Sequence, residues 1–301
     1  MRTKLIVNTT AGRGRAGEVL NKVQACLERC GVNYDLICTE APGQAIDLAY
    51  QAASDGYKRV VAMGGDGTAN EVTNGLLSAE EGHRVTLGII PAGSGNDFAY
   101  AVGIPGNAEG ACRRLAEGRE RAVDVVQVTV DGQSRIYNYG VGIGYDADAL
   151  LETRKMTRLR GFPMYLLAVL RVLATNTKWP YPMRITVDGR LLPNQAVTLI
   201  TVANGPRAGG GFLIAPDAQP DDGLLDVCVA DQLGRLGILY LLPHTMKGTH
   251  KGKKPVTMLR GRHVLIESER GAPGHMDGEV LCTQGRRIEF EILPGRLKVW
   301  C

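Results

Sequence analysis

The chain has 301 residues, of which 44% are hydrophobic and 22% charged, with a formal net charge of +4. That balance suits a folded protein of about two domains and excludes a disordered tail. No apolar run approaches the ~20 residues of a membrane span, and Leu5-Ile6-Val7 is too short for a signal peptide. The seven cysteines form no C-x-x-C pair and fit a reducing compartment, so a cytoplasmic location is expected, with no metal at Cys26 and Cys30. Aromatic residues make up 5% and do not interleave with the basic ones, so no nucleic-acid partner is expected.

The first ~125 residues alternate strand and helix signals: a strand at 4–7, a helix over 19–30, a strand at 34–38, a helix over 45–53, and strands at 60–63 and 86–90. This is the pattern of an α/β domain with a doubly wound parallel sheet, whose ligands bind at the carboxyl ends of the strands. Beyond residue 123 short β-type runs take over, at 124–130, 184–187, 197–202, 225–229 and 263–267, interrupted by one helical segment at 162–173. We expect a second, mostly antiparallel β-sandwich domain, with boundaries at 1–125 and 126–301. The last strand, 296–300, is expected to return to the first domain, and the active site to occupy the cleft between the two.

The most informative stretch is Met63-Gly64-Gly65-Asp66-Gly67-Thr68-Ala69-Asn70-Glu71, a glycine-rich turn between a buried strand and a helix. Glycines let backbone approach an anion, and the helix N–H groups point at whatever occupies the turn, so phosphate belongs there. A carboxylate facing phosphate is repelled unless a cation intervenes. Asp66 therefore implies Mg²⁺ nearby, or else a tight turn in which it only caps a helix. A second loop, Pro91-Ala92-Gly93-Ser94-Gly95-Asn96-Asp97, again ends a strand, and Ser94 and Asn96 are candidate phosphate or ribose contacts.

The loop after the first strand contains Gly12-Arg13-Gly14-Arg15-Ala16-Gly17, a literal G-x-G-x-x-G that keeps a dinucleotide-binding dehydrogenase in view, although two further glycine loops are more phosphate machinery than nicotinamide chemistry needs. No Walker motif occurs. In the second half, Asp217, Asp221, Asp222 and Asp226 place four carboxylates within ten residues. They suit a hard cation or a polar hairpin turn. His275-Met276-Asp277-Gly278-Glu279 is a second acidic turn in which Asp277 or Glu279 could take a hydroxyl proton.

In order and spacing these motifs resemble the diacylglycerol kinase catalytic superfamily, in particular the soluble bacterial YegS-type lipid kinases related to sphingosine and ceramide kinases. The resemblance spans essentially the whole chain. It rests on the Gly64–Val72 and Pro91–Phe98 loops, on Asn138 with Gly142-Ile143-Gly144-Tyr145-Asp146, and on Ala203-Asn204-Gly205 with Gly209-Gly210-Gly211-Phe212. It continues through Pro216-x-Ala218-x-x-Asp221-Asp222-Gly223-Leu224 and ends on Asp277-Gly278-Glu279. It implies that ATP is held by Asn8, Thr9, Thr10, Ala11, Gly12, Thr39, Gly64, Gly65, Asp66, Gly67, Thr68, Ala69, Asn70 and Ser94, although the usual Asn-Pro of the first loop is Asn8-Thr9 here. It implies a structural Mg²⁺ on Asp222 with the carbonyls of Gln219 and Leu224, and a catalytic Mg²⁺ that travels with ATP. Glu279 is the implied general base, with Asp66 and Asp277 organising metal and phosphates.

The expected activity is ATP-dependent phosphorylation of a lipid hydroxyl, such as that of diacylglycerol or phosphatidylglycerol. A soluble-substrate kinase of the NAD kinase type and a nucleotide-binding regulator without turnover remain as alternatives. Basic residues at 247–254, and Arg154, Lys155, Arg158 and Arg160 ahead of the apolar segment at 162–173, are expected to bring the protein to the anionic inner face of a membrane. Exposed sheet edges make a homodimer an open expectation.

Overall fold

The computed structural model describes residues 2–156, 159, 161–175, 179–193 and 196–301, so Arg158 and Arg160 lie outside the described residues. By internal contacts the chain forms two units, Met1–Asp124 with Gly295–Cys301, and Val125–Pro294.

The first unit runs β1 (Thr3–Val7), α1 (Arg15–Arg29), β2 (Asp35–Cys38), α2 (Gln44–Ser54), β3 (Arg59–Gly64), α3 (Asp66–Ser78), β4 (Thr86–Pro91), α4 (Asp97–Ala101), α5 (Ala108–Glu117) and the start of β5 (Glu120–Val130). β1 is parallel to β2 on one side and to β3 on the other, and β3 is parallel to β4. Val60 to Met63 and Leu5 to Val7 are essentially fully buried. This is why these strands read as continuous apolar runs, since helices cover both faces of a parallel sheet. The chain's last strand ends here, with Val299 parallel to Leu87 of β4.

The second unit contains β6 (Gln133–Tyr137), β7 (Gly140–Gly144), α6 (Tyr145–Thr153), α7 (Gly161–Thr175), β8 (Tyr181–Pro182), β9 (Arg184–Val187), β10 (Arg190–Leu191), β11 (Ala196–Ala203), β12 (Leu225–Asp231), α8 (Arg235–Met246), β13 (Val256–Gly261), β14 (His263–Met276) and most of β15 (Glu279–Trp300). Its antiparallel strands run in the order β13-β12-β11-β7-β14-β15. β14 pairs with β9 over Val264–Glu267 and with β7 over Gly274–Met276, with register shifts between. Such bulges let one long strand change partners and carry the sheet round a core. That core gathers Val126, Tyr137, Ile143, Ile185, Ile200, Val227, Ile266 and Phe290, all at most 1% exposed.

The unit is less purely β than the sequence led us to expect. α6 and α8 join α7, where a single helix was anticipated. α8 escaped because it is apolar around its whole circumference and carries Pro243, so neither a helical stripe nor an uninterrupted helical run marks it.

Candidate active site

In the first unit, β1, β3 and β4 end at Val7, Gly64 and Pro91 on one edge of the sheet. The winding reverses between β1 and β3, and such switch points open a crevice for ligands. The three loops there pack backbone on backbone. A Cβ on Gly93 would lie 2.2 Å from Gly65 Cα, and one on Gly12 (φ +62°) would lie 2.6 Å from Ala92 O. Only glycine permits that approach.

The first loop closes without the usual proline. Asn8 Oδ1 accepts from the Thr10 N–H (3.2 Å) and hydroxyl (2.8 Å), while Asn8 Nδ2 donates to Thr68 Oγ1 at 3.1 Å. This Asx-type turn supplies the bend that Pro would have preset. The Thr39 N–H donates to Val7 O at 2.9 Å, which holds the end of β2 beside the same loop.

The two acids of the glycine-aspartate motif have structural work. Asp66 is 6% exposed, and its Oδ2 and Oδ1 accept the N–H groups of Asp97 and Phe98, each at 3.0 Å. Glu71 accepts the N–H groups of Gly43 (3.1 Å) and Ala45 (3.3 Å) at the start of α2. Each carboxylate thus compensates the positive end of a neighbouring helix. Asp66, expected to face phosphate with Mg²⁺ nearby, has its carboxylate against the first amides of α4. It caps a helix, though not its own. The Asn96 side chain accepts from Gly93 N and donates to Gly93 O, both at 3.1 Å, and so braces its own loop. Asn8, Thr9, Ala11, Gly12, Thr39, Gly65, Gly67 and Ser94 are half-buried and Thr10 is exposed at this edge, whereas Gly64, Thr68, Ala69 and Asn70 are buried.

In the second unit, Met276 pairs with Glu279 across a two-residue turn in which Asp277 (φ +46°) and Gly278 (φ +84°) both have left-handed φ, the type I′ pattern of tight hairpins. Asp277, 2% exposed, accepts three backbone N–H groups: from Asn138 (2.7 Å), Tyr139 (3.2 Å) and Gly140 (3.1 Å). It anchors the hairpin to the start of β7. Glu279, the next residue but one, is exposed.

On the same strand as Met276, His275 Nε2 pairs with Asp146 Oδ2 of α6 at 3.0 Å, and the Tyr165 hydroxyl donates to Asp146 Oδ1. Burial alone would raise the pKa of Asp146. The His275 imidazole and the hydrogen bonds from His275 and Tyr165 outweigh it, and hold the carboxyl below its ordinary value. His275 Nδ1 is buried and, among the described residues, has no hydrogen-bond partner. Gly142 makes the pair possible, since a Cβ there would lie 2.2 Å from Asp146 Oδ2 and 2.3 Å from His275 Nε2. The sequence signals for this cluster were a lone hydroxyl in the apolar 162–173 segment and a histidine two residues before Asp277. Neither by itself marks a site.

Asp146 and Tyr165 also line a cavity of about 80 Å³ whose other walls are mostly apolar, with Val169, Leu199, Phe212, Ile238, Leu241 and Leu242 beside Thr198, Thr245 and His250. Its lining suits an apolar ligand with a polar end.

Asp222 is a poor fit to the expected metal. Its Oδ1 accepts the Leu224 N–H at 3.1 Å and its Oδ2 pairs with Arg260, which also approaches Asp226 at 3.3 Å. The guanidinium already supplies the positive charge there, and Mg²⁺ would have to displace it. Gln219 is exposed beside this turn. Among the described residues no group of three or more His, Cys, Asp or Glu could hold a metal.

The diacylglycerol kinase catalytic domain family matches residues 2–128, and the YegS C-terminal NAD kinase beta sandwich-like domain matches residues 140–301. The chain is 30% identical over 296 residues to "Diacylglycerol kinase" of Mycobacterium tuberculosis, covering 98% of this chain and 93% of that one. It is 34% identical over 257 residues to "Probable lipid kinase YegS-like" of Chromohalobacter salexigens, covering 85% and 79%. A diacylglycerol kinase crystal structure from Bacillus anthracis superposes with a TM-score of 0.74 at 25% identity, over 99% of this chain and 96% of that one. An NAD kinase from Archaeoglobus fulgidus in complex with ATP, at 12% identity and a TM-score of 0.52, covering 100% of this chain and 94% of that one, shares the fold alone.

Proposed function

Because the chain belongs to the diacylglycerol kinase catalytic family, with the YegS-type C-terminal domain, and is a lipid kinase, we propose that it transfers the γ-phosphoryl group of MgATP to the primary hydroxyl of a glycerolipid such as diacylglycerol or phosphatidylglycerol. The observation that carries the choice of a lipid is the cavity of the second unit, mostly apolar along its walls and polar at Asp146 and Tyr165. Hydrocarbon gains from leaving water there, and a headgroup oxygen finds hydrogen-bonding groups at the end.

In this reading the loop edge of the first unit holds the nucleotide. Backbone N–H groups of the α3 start and hydroxyls of Thr9, Thr10, Thr39 and Ser94 serve the phosphates and ribose, with Asn8, Ala11, Gly12 and Gly64 to Gly67 shaping the bed. Asp66 and Glu71 act indirectly, by fixing α4 and α2 around those loops. Glu279 takes the proton from the lipid hydroxyl as its oxygen attacks the γ-phosphorus, and ADP departs in line. Asp277 positions Glu279 by locking the hairpin. Mg²⁺ enters with ATP as part of the substrate and neutralises charge on the phosphates. No step is assigned to a metal at Asp222.

The test is a chain-length series. Leu242→Trp, at a half-buried position on the cavity wall, should raise KM for long-chain diacylglycerol about tenfold or more while leaving KM for ATP within about twofold. An unchanged lipid KM across the series would refute the assignment of this cavity to the acyl chain.

A further inference from the structure

Resting on the lipid kinase reading above, we propose that α8, together with the outer face of α7, is a docking surface for an anionic lipid bilayer and opens the apolar cavity directly onto it. α8 is apolar on two opposite sides. Its inner residues Ile238, Leu241 and Leu242 line the cavity. Its outer residues are left in water: Leu236 is 83% exposed, Tyr240 54%, Leu239 43% and Met246 37%. An amphipathic surface helix would carry polar residues there.

α7 repeats the arrangement, with Tyr165 and Val169 on the cavity wall and Leu167 and Leu170 turned outward. The two helices share one cluster through Val169, Val172, Ile238 and Leu242, and Arg235 Nη2 donates to Ala174 O at 3.3 Å, which ties the start of α8 to the end of α7.

Charge decides what covers this patch. Residues 235–254 contain five Lys or Arg (Arg235, Lys247, Lys251, Lys253 and Lys254) and no acid. Lys251 pairs with Asp217, and Lys253 lies 5.9 Å above the Tyr240 ring. A second copy of the chain meeting this surface would oppose cation to cation, which disfavours self-association. An anionic bilayer matches both parts of the patch, since leucine and tyrosine enter the interface while lysine and arginine meet the headgroups. A lipid could then pass from the leaflet between the helices into the cavity without crossing water. The expected basic loop at 247–254 is thus the flank of this surface, and the inserting element is α8.

The experiment is sedimentation with phosphatidylcholine vesicles, with and without phosphatidylglycerol, in the absence of nucleotide. Leu236→Gln with Leu239→Gln and Tyr240→Ser should lower the partition coefficient on anionic vesicles about tenfold or more. Lys247→Glu with Lys253→Glu and Lys254→Glu should lower it by a similar factor, and most at low salt. Both variants should phosphorylate a short-chain diacylglycerol dissolved as monomer within about twofold of the parent rate, which shows an intact fold and cavity. In a separate Leu236→Trp variant the new indole should shift its emission to the blue on vesicles and be quenched by brominated lipid. Undiminished sedimentation of the leucine-tyrosine variant, an unshifted indole, or a parent protein that phosphorylates dissolved lipid yet never sediments would overturn the docking surface. Vesicle binding that these substitutions abolish, with no lipid phosphorylated under any condition, would sink the kinase reading and leave the docking surface standing.

Discussion

Replacing Asp277 by Asn separates the structural acid of the hairpin from Glu279, the proposed base. The carboxylate accepts three N–H groups, one on Oδ2 at 2.7 Å and two on Oδ1 at 3.2 and 3.1 Å, at a residue 2% exposed. Asn tolerates the left-handed backbone at φ +46°, so the turn itself is not strained. The best placement of the new amide keeps its oxygen toward Tyr139 and Gly140 and turns its NH₂ against the Asn138 N–H. That removes one charge-assisted hydrogen bond, about 1.5–3 kcal/mol, and leaves two buried donors facing each other, about 1–3 kcal/mol more. A loss of roughly 2.5–6 kcal/mol is large but survivable over most of the ordinary range of stability, near 5–15 kcal/mol. Asp277→Ala, with three amides uncovered, would not be. Urea unfolding in a Trp300→Phe background reports on the second unit, because Trp179 lies there and Trp300 lies in the first. A destabilisation below about 1 kcal/mol together with lost activity would refute the reasoning, and would move Asp277 from anchor to reacting group.

Gly142→Ala should push Asp146 and His275 apart, since its methyl would lie 2.2–2.3 Å from both; calorimetry should show lowered stability and kinetics a raised KM for lipid, with ATP binding unchanged. The pH dependence of stability follows from Asp146, whose folded pKa lies below the ordinary value of 3.8 because His275 and Tyr165 outweigh burial. A lowered folded pKa gives stability that is fully present above the unfolded value and lost as pH falls through the folded one. Between about pH 5 and about pH 2 the parent protein should therefore lose more stability than Asp146→Asn, and equal slopes would contradict the assignment. With Arg260 on Asp222, a chelator added without nucleotide should leave Tm unchanged; a drop of about 4 °C or more would show a bound cation and restore Asp222, Gln219 and Leu224 as its ligands.

The alternation of buried strands and helices in the first unit was legible because parallel strands covered on both faces are continuous apolar runs, as at Val60 to Met63. The loops were legible because glycine clusters mark where backbones meet. The partners of the acids were not. Asp66 serves amides 31 and 32 residues away, Glu71 amides 28 and 26 away, and Asp277 amides 137 to 139 away. Spacing along the chain therefore could not distinguish a phosphate or metal contact from a cap. The Asp146–His275 pair depends on the β7–β14 register, in which Gly142 faces His275, and a register between distant strands is invisible in the sequence. α8 was hidden by having apolar residues on both sides, the same property that marks it as a docking element.

The central claim is tested most directly by transfer of label from γ-³²P-ATP, with Mg²⁺, to a lipid panel in mixed micelles, beside an NAD control and with Glu279→Gln as the blank. The account predicts a labelled glycerolipid, and at least a ~100-fold slower reaction in the blank with its Tm unchanged, because Glu279 is exposed and takes only the hydroxyl proton. Label in NADP alone, no label anywhere, or an undiminished rate in the blank would contradict it.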